Sequence, residues 1–281
     1  MNLLFDPKSS QLQVQKETSA RLNSLFGAIA SEGWVKGGTG GSWTQMILTD
    51  PISNLPSGGG NVLAIFTRYP YTVPGSQPAF PPGTDFSYQP GEISAIQSFV
   101  ESGGGLLLMS NHGSSPTEHA NWSQYDKVLA AAFNVTLLPA FFVVDGSEFM
   151  RLSGGLLNNR LSKTILNNVS SIVVHDCCGV SVQSGTDFTP IAELPLNTVD
   201  TSGKNYSPAG QYFGATLRSG KGQVIVLGNS GWVGDDGGCP CPAPGLLPLG
   251  SNLTFVLNCL KFLGGAPMVQ ALTCSELQDS K

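Results

Sequence analysis

Two rhythms of apolar residues alternate along the chain. Leu3-Leu4-Phe5 predicts a short first strand, and residues 13–31 carry Leu22, Leu25, Phe26 and Ile29 at helical spacing. Gln45-Met46-Ile47-Leu48 predicts another strand. From Asn61 to Thr67 the run is apolar without alternation, the pattern of a parallel strand buried on both faces. Residues 70–90 are proline-rich and predict an ordered loop. Pro90-Gly91-Glu92 opens a helix with Ile93, Ile96, Phe99 and Val100 inward, and Gly103-Gly104-Gly105 closes it. Leu106 to Met109 predicts a second buried strand, which stops at Ser110-Asn111-His112-Gly113. Residues 122–133 follow as a helix with Tyr125, Val128, Leu129 and Ala132 as its core face.

The second half is less regular. Phe141 to Val144 and Ser171 to Val174 look like strands. Phe213 to Arg218 and Gln223 to Leu227 flank Ser219-Gly220-Lys221-Gly222, a hairpin signature. Residues 251–263 form an apolar helix closed by Gly264-Gly265. Alternating strands and helices imply a three-layer α/β/α sheet. In such sheets ligands bind beyond the carboxyl ends of the strands. Asp6, Ser110-Asn111-His112 and Asn229-Ser230 each follow a predicted strand, so they are expected to share one edge.

Composition narrows the functions. The chain has 281 residues, 41% hydrophobic but only 12% charged. That charged share is about half the usual one. A net charge of −5 offers no basic stripe to neutralise phosphates, so nucleic acid is not an expected partner. No apolar run reaches the roughly 18 residues of a membrane span. Met1 to Phe5 reads as a strand rather than as a secretory signal, so the chain is expected to be cytoplasmic or a mature secreted form. Asn-x-Ser/Thr sequons occur at Asn121, Asn134, Asn168, Asn205 and Asn252, the last better read as a helix cap. The six cysteines permit disulfides, but Cys177-Cys178 and Cys239-Pro240-Cys241 lack the Cys-x-x-Cys spacing of zinc sites, and Cys259 reads as core.

The order of pieces carries a resemblance. An early strand ends in Asp6, and a strand from Val62 to Phe66 precedes a proline-containing loop. A helix with Glu92 leads into "FVESGGGLLLMSNHG". A late "GATLRSGKGQVIVLGNSGW" precedes "NLTFVLNCLKFLGG". This resembles the class I glutamine amidotransferase-like superfamily, in its divergent ThuA-like and GIFT-type branches, over residues 2–135 and 210–265. The resemblance implies a single flavodoxin-like α/β domain over 1–281, mainly parallel, with a C-terminal β-hairpin plus helix and residues 136–210 as an insertion or elaboration. Catalytic members carry Gly-x-Cys-x-Gly after one strand and His-Pro-Glu after a later one. Here Met109, Asn111 and Gly113 fall on the first motif, and Asn229-Ser230 stand where the second should be. Nucleophile and base are both missing, so glutaminase chemistry is not expected.

Other candidates remain. His112 has the residue type and place of a general base or metal ligand. Asn111 and Ser110 are candidate catalytic neighbours. Asp6, Tyr69, Tyr71, His119, Asn229 and Ser230 are candidate ligand-binding residues. Asp235 and Asp236 are candidate ligands for a hard divalent cation, with Asp6 and His112 as added ligands, or else a solvated turn. The adjacent His175 and Asp176 should point to opposite faces of a strand. No Gly-x-Ser-x-Gly, P-loop, Gly-x-Gly-x-x-Gly or His-Glu-x-x-His occurs. Trp34, Trp43, Tyr69, Tyr71, Phe80, Phe86 and Tyr88 cluster in long loops, either as a sugar or small-ligand surface or as buried anchors. Three readings follow: a non-glutaminase domain binding a small molecule, glycan or protein at the strand edge; a hydrolase using His112 with a serine or metal there; and an assembly subunit.

Overall fold

The continuous apolar strands take the central places in a mixed α/β fold. The computed structural model describes residues 3–6, 8–9, 22–31, 55, 61–68, 85–114, 121–147, 149–153, 161, 164–233 and 246–265. Strands β1 (Leu3–Phe5), β2 (Val62–Phe66) and β3 (Gly105–Met109) lie side by side and parallel, and β11 (Gly222–Leu227) joins β3, also parallel. Every residue of β2 and β3 is buried. Side chains of these strands alternate between two cores, as pleating requires. Ala64, Phe66, Leu107 and Met109 pack with helices α1 (Asn23–Ser31) and α4 (Asn252–Leu263). Leu63, Ile65, Leu106 and Leu108 pack with helices α2 (Pro90–Glu101) and α3 (Ser123–Ala131).

Beyond β11 the sheet turns antiparallel. Strand β10 (Tyr212–Ser219) returns beside β11 through the two residues Gly220 and Lys221. Gly220 has φ +56°, and a Cβ there would lie 2.7 Å from Glu101 Cα, so the turn requires glycine. Residues 136–210 supply most of the remaining strands. β7 (Cys177–Val182), β4 (Val135–Val144) and β9 (Thr198–Asp200) extend the same sheet, and β8 (Phe188–Glu193) pairs with β10. β5 (Met150–Leu152) and β6 (Ile172–Val174) form a separate ribbon.

Several expectations change. The helix foreseen over 13–31 is described only from Asn23, and the strand foreseen at 45–48 lies outside the described residues. β4 begins at Val135, six residues before its predicted start, and β7, β8 and β9 were not foreseen. Helix α3 is turned from its expected face. Ser123, Asp126, Leu129 and Ala130 are buried, while Val128 is 47% exposed. The reason is Asp126, whose carboxylate is bonded inward. Asn252 is not the cap of α4; Ser251 holds that position. The Asn252 amide is buried, accepts from Val173 N at 2.8 Å and donates to Val173 O at 2.7 Å and Leu246 O at 2.9 Å. It pairs with the β6 backbone as another strand would. Cys259 is buried in the α1/α4 core, as its setting implied.

Candidate functional site

Register brings the strand ends level. Phe66 pairs with Met109, and Met109 with Leu227. Thr67 and Ser110 continue the ladder by one step, donating to Met109 O at 2.6 Å and Leu227 O at 2.8 Å. Thr67 does so at φ +41°. That conformation strains a β-branched residue by about 1–3 kcal/mol and persists only where surroundings enforce it.

The enforcement comes from a buried polar network. Arg68 is fully buried directly after β2. Its Nε donates to Asp6 Oδ2 at 2.7 Å and its Nη2 to Asp6 Oδ1 at 3.3 Å. Nη1 and Nη2 donate to Glu92 Oε2 and Oε1 at 3.2 and 3.1 Å. The Tyr88 ring lies 3.9 Å beneath the guanidinium carbon. Burial opposes the charge of Arg68, but Asp6, Tyr88 and Glu92 outweigh it and hold the proton more tightly than usual. For Glu92, burial is likewise outweighed by Arg68 and by the Gln89 N–H, so its carboxyl is lowered. That N–H donates to Glu92 Oε2 at 2.9 Å, which also caps α2.

Asp126 completes the network from α3. Its Oδ2 accepts from Thr67 Oγ1 at 2.6 Å and from Ser110 Oγ at 3.0 Å. Its Oδ1 accepts from Arg68 N at 3.1 Å and from the Tyr88 hydroxyl at 3.3 Å. Burial pushes the Asp126 carboxyl up to about 6 despite these bonds. Burial and then Asp126 raise the Tyr88 phenol as well. Phe86 and Tyr88 are thus buried anchors.

The neighbouring part of the edge is built differently. Asn111 Oδ1 accepts from His112 N at 2.9 Å and from Asn229 Nδ2 at 3.0 Å. Asn229 Nδ2 also donates to Asp176 Oδ1 at 2.8 Å, while its Oδ1 accepts from Gly231 N at 2.8 Å. These backbone donors fix the orientation of both amides. His112 is buried, with Nδ1 2.7 Å from Gly113 O, which places the proton on Nδ1. Its ring meets Phe141 edge-on at 4.4 Å and Trp122 at 6.1 Å. Gly113 must be glycine, because a Cβ would strike Pro139 O. Ser230 is fully buried, and its Oγ has no partner among the described residues.

The structure therefore brings together Asn111, Asn229 and Asp176, with His112 adjoining in sequence, and gathers Asp6 and Ser110 into the Arg68–Asp126 network. Asp176 bonds to Asn229, whereas His175 lies against Phe149 at 4.9 Å. Tyr69, Tyr71, His119, Asp235 and Asp236 lie outside the described residues, as do Trp34, Trp43 and Phe80 and cysteines 239, 241 and 274. No group of three or more His, Cys, Asp or Glu suited to a metal occurs among the described residues. Cys177, Cys178 and Cys259 are free, buried and pushed up by burial, so none is a ready thiolate. Sequence reasoning passed over Thr67, Arg68 and Asp126. Their one signal was polarity directly after a strand or inside an apolar helix face. No described helix is long and apolar enough to cross a membrane.

No protein-family model and no curated protein matches the sequence. Solved structures of similar shape exist. The mmIFT52 N-terminal domain shares 14% identity at a TM-score of 0.62, covering 94% of this chain and 97% of that one. A ThuA-like protein from Bacteroides uniformis ATCC 8492 shares 12% identity at a TM-score of 0.46, covering 93% of this chain and 90% of that one. A cytoplasmic protein from Salmonella typhimurium LT2 shares 15% identity at a TM-score of 0.45, covering 86% of each chain. The likeness to the mmIFT52 domain is one of fold.

Two outcomes follow from the network. Arg68→Met leaves Asp6 and Glu92 buried without their cation and should cost about 3–5 kcal/mol in urea unfolding. Arg68→Lys should recover little, because an ammonium cannot form the fork. The second outcome concerns pH. Asp126 binds its proton more tightly folded than unfolded, so its contribution is full below 3.8 and is lost as pH rises through about 6. Glu92 and Asp200 are lowered and act in the opposite sense, their contributions being lost as pH falls. Asparagine does not titrate, so the stability of the wild type minus that of Asp126→Asn isolates the Asp126 contribution. That difference should fall between about pH 4 and pH 7, and a flat or rising difference contradicts the assignment.

Proposed function

We propose that this chain is a single amidotransferase-like domain of three-layer, flavodoxin-like architecture, with residues 136–210 as an elaboration, that binds a ligand or partner at the strand edge without hydrolysing glutamine. One observation carries the reading. Asn111 stands where the resembling enzymes keep their nucleophile, and its Oδ1 is tied down by His112 N and Asn229 Nδ2. A carboxamide cannot attack a carbonyl as a thiolate does. The hydrolase alternative is less well supported, because the Ser110 hydroxyl is fully buried and donates to Asp126. Asn111, His112, Asn229 and Asp176 are the proposed binding residues. The test pairs two measurements on the unmutated chain: ammonia release from L-glutamine, and thermal shift across a panel of divalent cations, sugars, amino acids and amines. No ammonia and at least one saturable shift are expected. Catalytic ammonia release sinks the non-glutaminase reading, and a panel with no shift sinks the small-ligand one.

An assembly subunit is the second reading, favoured by the far edge of the sheet. Among the described residues β9 pairs on one side, with Leu196 fully exposed and Val199 37% exposed beside it. An unpaired apolar edge can take up another strand. The likeness to the mmIFT52 N-terminal domain also sets this fold within a longer chain. Sedimentation velocity should then show self-association that Leu196→Asp abolishes; a monomer at all concentrations removes this reading for a second copy.

A further inference from the structure

The edge already holds one cation. Arg68 sits between two carboxylates with an aromatic ring beneath. Across the edge, bonded to Asn229 after β11, stands Asp176, a half-buried carboxylate. Asn229 Nδ2 fixes its Oδ1, and its Oδ2 has no partner among the described residues. Asn111, more than nine-tenths buried, has its Oδ1 fixed by the same nitrogen, and its Nδ2 likewise has no partner among the described residues. Asp176 and Asn111 therefore lie within two hydrogen-bond lengths of each other, one offering an acceptor and the other a donor. Phe142 of β4 pairs with Cys177 of β7, and Asp176 directly precedes β7, so Phe141 and Asp176 both adjoin that pair. Phe141 and Trp122, both half-buried, supply rings near His112.

Charge decides what this arrangement suits. Arg68 is the one cation bound by Asp6 and Glu92, which already neutralise it, and Asp176 adds a further carboxylate at the same edge. The local field is negative, and it repels phosphates and carboxylates. A bare divalent cation lacks a ligand set among the described residues. An organic cation fits, with its charge on Asp176 and its hydrophobic stem against an aromatic face.

We infer that Asp176, Asn111 and Phe141 form a recognition site for a primary ammonium or guanidinium group carried next to a carbonyl, with the cation on Asp176 Oδ2 and the carbonyl accepting from Asn111 Nδ2. A small basic amide and a Lys or Arg side chain of a polypeptide share this chemistry. The inference rests on the binding reading above and deepens it. Calorimetric titration with L-argininamide, L-lysinamide and the neutral control N-acetyl-L-citrullinamide tests it. The basic probes should bind, and N-acetyl-L-citrullinamide should bind at least about tenfold more weakly. Asp176→Asn, whose oxygen can still accept from Asn229, should keep the wild-type melting temperature and lose about tenfold in affinity for the basic probes. An arginine-containing tetrapeptide that binds more tightly than L-argininamide assigns the polypeptide source; equal affinity assigns the small basic amide. If N-acetyl-L-citrullinamide binds as well as argininamide, or Asp176→Asn binds as the wild type does, the inference is overturned. If no amine binds while sugars or metal ions shift the melting temperature, the inference falls and the binding reading stands. If nothing binds, both fall.

Discussion

A guanidinium buried between two carboxylates holds this end of the molecule together. Arg68 lies directly after the central strand β2, Asp6 directly after the outer strand β1, and Glu92 in the first turn of α2. One side chain thus ties two strand ends to a helix start. Its backbone N–H extends the tie to Asp126 in α3. Removing a buried ion pair from water is costly, and only full hydrogen bonding offsets that cost. The forked geometry of arginine provides that bonding, and the Tyr88 ring covers the remaining face. Because every carboxylate in the clamp has another structural duty, the network resists change at any single position. Glu92 caps its helix, and Asp126 holds Thr67 in a left-handed conformation that it would not adopt alone.

This constraint divides the strand edge. On the β1/β2 side, side chains that could meet a ligand are spent on internal bonds, and Ser110 is drawn into the same network. On the β3/β11 side, Asn229 orients Asn111 and Asp176 while leaving one polar atom of each without a partner among the described residues. A ligand bound there meets groups already held in place, so little ordering entropy is lost on binding.

Much of the fold was legible because the strands that carry it are simple. β2 and β3 are five-residue apolar runs, and burial on both faces leaves no other reading. The edge was legible as a place, since polar residues follow such runs where a parallel sheet meets water. Its interior was not. Arg68 and Asp126 are charged, and charge reads as surface unless its partner is known. Those partners lie 62 and 58 residues away in the chain. The face of α3 was misassigned for the same reason, since an inward Asp126 turns the helix away from its most apolar stripe. The strands missed in the second half contain Gly179 and Pro190, which weaken the local strand signal even where pairing in the sheet supports them.

The turn after β3 is held by local contacts of its own. In a strand-end turn a reactive side chain is exposed by strain, and the strain must be held by its neighbours. Here the turn after β3 is held by Gly113 pressed against Pro139, by Gly113 N donating to Ala140 O, and by His112 bonded to Gly113 O. None of these contacts depends on a thiol at position 111. A carboxamide there gains two hydrogen bonds of its own, one to the His112 backbone and one to Asn229. Asn111 is therefore a structural member of the turn. Its Nδ2 has no partner among the described residues.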